Sequence, residues 1–151
     1  DDEGHRYLYS YVIMYQWGWE SVVKKKKYLL DKATDFDKAK FFGASAQRTY
    51  LIYATGSKLY AYDYVAEKVQ LLQDFGDQEI TLLHCDLLVE TGAGDDFFYV
   101  GTYDPSLPKE TGGTLTKYRV VNDPNNIIVE KVPGFSWSGL CKIKSIDFKK
   151  N

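Results

Sequence analysis

Apolar residues along this chain come in short runs, many alternating with polar neighbours, and each run is closed by a turn signal. The runs "YLIYATG" (50–56), "LYAYDY" (59–64), "TLLHCD" (81–86) and "FFYVGTY" (97–103) are typical. A period of two rather than 3.6 predicts strands. The turn signals are "QWGWE" (16–20), "ATGSK" (54–58), "DFGDQ" (74–78), "GAGDD" (92–96), "KETGG" (109–113) and "NDPNN" (122–126). Each supplies glycine for a positive φ, or Asp, Asn or Pro for a reversal. One stretch, "YLLDKATDFDKAKFF" (28–42), offers a helix-like pattern, and Thr34 and Asp35 interrupt it. The expectation is an all-β chain of short antiparallel strands.

The strands repeat. "LYSYVI" (8–13), "LYAYDY" (59–64) and "LTKYRV" (115–120) align so that Leu8, Leu59 and Leu115 share a column, and Tyr11, Tyr62 and Tyr118 share another. "YLIYATG" (50–56) aligns with "FFYVGTY" (97–103) before the second and third copies. "ESVVKKKKYLL" (20–30), "KVQLLQDFG" (68–76) and "IIVEKVPGF" (127–135) follow the three copies. Between units stand "KFFGAS" (40–45), "TLLHCD" (81–86) and "KIKSID" (142–147). These place Ala44, Cys85 and Ile146 in one column and Ser45, Asp86 and Asp147 in the next.

The repeat unit therefore has four strands and a period of roughly 50 residues, the signature of a β-propeller blade. Approximate units are 1–36, 37–78 and 79–136, with a closing strand in 137–151. They give two late strands, two complete blades and the first strand of another, about eleven strands in all. Propellers have four to eight blades, so a set of about three is partial. It is completed by further blades, by association of copies, or by pairing of 140–148 beside 5–14. In a blade both sheet faces are covered. Tyr60, Tyr62 and Tyr64 then face one neighbour while Leu59 and Ala61 face the other. Each buried ring contributes roughly 1.5–3 kcal/mol when its hydroxyl finds a partner.

Composition narrows the function classes. A hydrophobic fraction of 44% is enough for a core, and a net charge of −2 gives no general pull toward nucleic acid or anionic membrane. The run "KKKK" (24–27) reads as solvated strand lysines that discourage edge pairing. No apolar run is long enough to span a membrane. The first residues lack both an initiator Met and a signal-peptide pattern, which reads as a mature or excised form. The two cysteines, Cys85 and Cys141, have no metal-ligand or framework spacing. No cofactor is implied.

The segments "YATGSKLYAYDY", "FGDQEITLLHCD", "YVGTYDPSLPKETGGTLTKYRV" and "FSWSGLCKIKSIDFK" together resemble the C-terminal part of a PKD-like family of envelope lipoproteins from gut anaerobes. The resemblance covers roughly residues 28–150. It implies a propeller-like region carried by a lipid-anchored cell-surface protein, often associated with polysaccharide uptake. It brings no defined activity. The lipoprotein signal, the lipidated Cys and the PKD-like modules lie outside these residues.

Two candidate sites follow from residue chemistry. Trp17 and Trp19 flank Gly18 in a hairpin turn beside Tyr15, and exposed rings there could stack on sugars. Alternatively, the rings fold back on the sheet. His84 and Asp86 share a strand face and, with their column neighbours Ser45 and Asp147, would line a central channel. A His/Asp pair can do acid–base work, although no nucleophile accompanies it. Asp95, Asp96, Asp104 and "NDPNN" supply oxygen ligands suited to calcium, and equally the ordinary chemistry of turns. Trp137 reads as a blade-to-blade packing residue.

Three function classes remain. The first is a non-catalytic binding module of a surface lipoprotein, engaging glycans or other envelope proteins. The second is a structural or self-assembling domain, a homo-oligomer. The third is a glycan-active enzyme using the channel residues.

Overall fold

The computed structural model describes residues 4–16, 18–44, 49–86, 96–122 and 126–146, with the side chains of 12–16, 19–25, 44, 86 and 122 left out. The chain is all-β. Strands β1 (Tyr7–Gln16) and β2 (Trp19–Leu29) form a two-stranded hairpin. Strands β3 (Phe41–Ala44), β4 (Tyr50–Thr55), β5 (Lys58–Asp63) and β6 (Lys68–Asp74) form a second sheet in sequence order. Strands β7 (Glu79–Asp86), β8 (Asp96–Tyr103), β9 (Gly113–Asn122) and β10 (Ile127–Leu140) form a third, again in sequence order. Every pairing is antiparallel.

The repeat columns are columns of register. Phe41 pairs with Ala54 in the second sheet as Leu82 pairs with Gly101 in the third. Gly43 pairs with Ile52 as His84 pairs with Tyr99, and Ala44 with Leu51 as Cys85 with Phe98. One strand over, Leu51 pairs with Tyr62 as Phe98 pairs with Tyr118. Glycines sit where the chain reverses: Gly18 and Gly56 in hairpin turns and Gly76 in the connection between the second and third sheets all adopt positive φ.

The second sheet is covered on both faces, so β4 and β5 are buried almost throughout. Its downstream face offers Tyr50, Ile52, Ala54 and Leu59 to Leu83, Phe98, Val100, Tyr118 and Val120 of the third sheet. Its upstream face offers Leu51, Tyr53, Tyr60 and Tyr62 to Leu8 of the hairpin and to Leu30, Ala33 and Phe36 of the connection. Three of the buried phenols donate hydrogen bonds. Tyr62 donates to the Leu29 carbonyl at 3.1 Å, Tyr53 to that of Thr34 at 2.7 Å, and Tyr50 to Asp96 at 2.5 Å.

The sheets also touch along their first and last strands. A Cβ added to Gly43 of β3 would overlap the side chain of Cys85 on β7, so the first strands approach closely. On the far side, Gln70 of β6 clamps the start of β10. Its amide nitrogen donates to the Ile127 carbonyl at 2.7 Å, and its oxygen accepts from the Ile127 N–H at 3.1 Å.

Two segments depart from the sequence reading. Within 28–42 the ends are strand, belonging to β2 and β3, and the only helical element is a 3-10 turn, Phe36–Lys38. Asp35 lies in the left-handed region at φ 54, which stops any α-helix, and Leu30, Ala33 and Phe36 serve instead as a lid on the second sheet. Among the described residues the eleventh strand is not formed: β10 runs to Leu140, and 141–146 carry no regular secondary structure. β1 pairs with β2 alone among the described residues, so the 140–146 segment does not pair beside it.

Candidate functional site

Of the residues singled out by sequence, Trp17, Ser45 and Asp147 lie outside the described residues. For Tyr15, Trp19 and Asp86 the backbone alone is described. Tyr15 pairs with Glu20 and Gln16 with Trp19, around Gly18 at φ 80, which is the hairpin expected there. Asp86 pairs with Phe97.

His84 is half-buried on β7, its ring centroid 6.5 Å from that of Tyr99. The thiol beside it, Cys85, packs against Gly43, and burial, with Asp96 nearby, pushes its pKa up to about 12. Such a thiol is a space-filling group, not a nucleophile. Cys141 is exposed, and both cysteines are free.

The carboxylates considered as calcium ligands hold turns and rings. Asp104 accepts from the hydroxyl and N–H of Ser106, which keeps its pKa below the ordinary value. Asp96 accepts from Tyr50. Asp95 and Asp123 lie outside the described residues. Among the described residues no three His, Cys, Asp or Glu side chains come together as a metal-holding group.

The geometry instead assembles two aromatic faces at opposite ends of the array. The first is on the hairpin. Tyr7, Tyr9 and Tyr11 alternate along β1 with successive ring centroids 6.4 and 6.5 Å apart, and the Lys27 ammonium lies 3.5 Å from the Tyr7 centroid. Tyr9 and Tyr11 are 42% and 51% exposed.

The second face is the downstream side of the third sheet. The Lys117 ammonium sits 4.4 Å from the Phe97 centroid, 5.1 Å from Phe135 and 5.4 Å from Tyr99. Trp137 packs edge-on against Phe135, centroids 5.9 Å apart, and is 43% exposed. Trp137 thus stands on an open face and not between two sheets. Arg119 and Glu130 pair at 3.0 Å beside a groove of about 440 Å³ that Phe97 and Pro133 also line.

Rings with cations among them can stack on flat apolar surfaces and attract carboxylates. These two faces hold no activated nucleophile among their described side chains. Sequence reasoning missed the second face because its residues come from three strands. One signal was available: Lys117 occupies the column of Ala61, which is fully buried in the second sheet. Compared with family models, curated proteins and solved structures, the chain matches none.

Proposed function

We propose that this chain is a propeller-type interaction module that works by binding, with its two end faces as the working surfaces. One observation carries the reading. Columns that are buried in both four-stranded sheets, Tyr62 with Tyr118 and Tyr60 with Thr116, carry exposed tyrosines on the hairpin. Tyr62 is fully buried, whereas Tyr11 in the same column is 51% exposed. Exposed ring clusters rimmed by polar groups mark interaction sites. The blade reading rests on equal register in two successive sheets and on contact between their first strands. The resemblance to PKD-like envelope lipoproteins supports a cell-surface setting, with glycans or envelope proteins as partners.

The test compares wild type with a Tyr9→Ala/Tyr11→Ala/Trp137→Ala protein on a panel of neutral and acidic oligosaccharides and on immobilised copies of the chain. Loss of most binding in the triple variant is expected. Equal binding by both proteins would remove the end faces from the function. Release of new reducing ends from the glycans would replace binding with catalysis.

A further inference from the structure

Residues 141–146 lie against the third sheet near where β7 lies on the second, one place out of the column that sets 142–147 over 81–86. In the second sheet, Ala54 packs in the core beside Ile80 and Leu83 of β7. Gly101 holds Ala54's place in the third sheet, and a Cβ there would meet Ile143 at 3.6 Å. The N–H of Ile80 donates to Gly56, in the turn after β4. Likewise the N–H of Lys142 donates to Lys109, in the loop after β8, at 2.7 Å. Lys142 also pairs with Glu79 at the start of β7 at 2.7 Å. Thus 141–146 occupies the first-strand position of a further sheet, although no ladder partner joins it among the described residues.

The β1–β2 hairpin holds the complementary positions. Its column residues, Leu8 and Tyr11, match Leu59 and Tyr62 of β5 and Leu115 and Tyr118 of β9, which are third strands. The hairpin is therefore the third and fourth strand of a sheet. Its downstream side, through Leu8, packs toward the second sheet. Its upstream side displays Tyr9 and Tyr11, and the matching residues of the other two sheets are buried by the sheet or lid before them.

We propose that the downstream face of the third sheet receives the β1–β2 hairpin of a second copy of this chain, head to tail. This rests on the reading of the end faces as working surfaces, and names their partner. The composite sheet at the junction holds 141–146 from one copy and β1–β2 from the other, three of the four strand positions. Tyr9 and Tyr11 then face Phe97, Lys117 and Trp137. Tyrosine ring faces complement a lysine already held among aromatic rings. Two junctions join two copies into a closed ring. Two four-stranded sheets per chain and one composite sheet per junction make six sheets, within the four to eight of propellers. A heterologous contact that closes in this way leaves no open end to propagate into a filament.

Sedimentation velocity over a wide concentration range tests this, using the whole chain and two single variants. Tyr11→Glu charges the upstream face and Trp137→Glu the downstream face. Both sites are exposed, so a thermal melt close to wild type is expected for each. Wild type should shift from 17.3 kDa toward twice that mass as concentration rises. Each variant alone should remain monomeric. An equal mixture of the two should form a dimer, because each retains the face that the other lacks. Wild type that stays monomeric throughout overturns the proposal. So does a Tyr11→Glu protein that dimerises like wild type, since that result marks a symmetric contact through Trp137 alone. If glycan binding persists in a strictly monomeric chain, the interaction reading survives and the second copy is ruled out as its partner.

Discussion

Tyr62 and Tyr11 occupy one column of the repeat, and their surroundings differ as much as two tyrosines can. Tyr62 is fully buried and donates its hydroxyl to the Leu29 carbonyl, beneath the connection between β2 and β3. Tyr11 is 51% exposed on an open sheet face, stacked on Tyr9. The residue type is set by the role the column plays in a stack of sheets, and the neighbour decides whether that role is filled. An exposed aromatic in a packing column is therefore a statement about a partner. A lone exposed tyrosine elsewhere would carry no such meaning.

The most drastic way to separate the two regions is alkaline titration. Burial raises the phenol pKa of Tyr53, Tyr62 and Tyr118. For an acid whose folded pKa is raised, the neutral form is favoured by the fold. The stabilisation is complete below the unfolded pKa of about 10 and is lost as pH rises beyond it. These phenolates are expected to form together with the loss of β-sheet circular dichroism. Complete phenolate absorbance with a native dichroism spectrum would contradict their burial.

Next in size is truncation within the column. Tyr62→Ala removes a fully buried ring and is expected to cost about 3–5 kcal/mol in denaturant unfolding. Tyr11→Ala, measured at concentrations where the chain is monomeric, is expected to stay within about 0.5 kcal/mol of wild type. Equal costs at the two sites would dissolve the distinction between filled and open columns.

The repeat columns were legible because register in a meander follows from alternation and turn position. Laying "KFFGAS" over "TLLHCD" and "YLIYATG" over "FFYVGTY" put Phe41 in the column of Leu82 and Ala54 in that of Gly101, and in the structure those columns pair alike. The connection 30–39 was not legible as a lid. Its apolar residues have helix-like spacing, but the left-handed backbone at Asp35 converts the segment into turns. The length of β10 was hidden as well. Its ladder is broken between Lys131 and Ser136 and between Trp137 and Leu140, and Gly134 and Gly139 take positive φ in those breaks. The downstream aromatic face was invisible as a unit, because Phe97, Lys117, Phe135 and Trp137 converge only once β8, β9 and β10 are side by side. The hairpin expected at 16–20 forms, with Gln16 opposite Trp19, and the buried tyrosines of β5 are packing residues, as their alternation implied.

A smaller effect sharpens the close approach of the two complete sheets. Gly43→Ala pushes a methyl group into Cys85 and is expected to cost about 1–3 kcal/mol. Adding Cys85→Ala removes the sulfur from the clash and should recover part of that loss, a coupling that a double-mutant cycle would read directly. A neutral Gly43→Ala would mean that the first strands do not touch as described.

The relation between filled and open columns is tested most directly by hydroxyl-radical footprinting of the tyrosines across chain concentration. Tyr62 and Tyr118 should be protected at every concentration. Tyr9 and Tyr11 should be modified readily in dilute solution and become protected as copies associate. Tyr9 and Tyr11 that stay reactive at every concentration, or a Tyr62 as reactive as Tyr11, would contradict it.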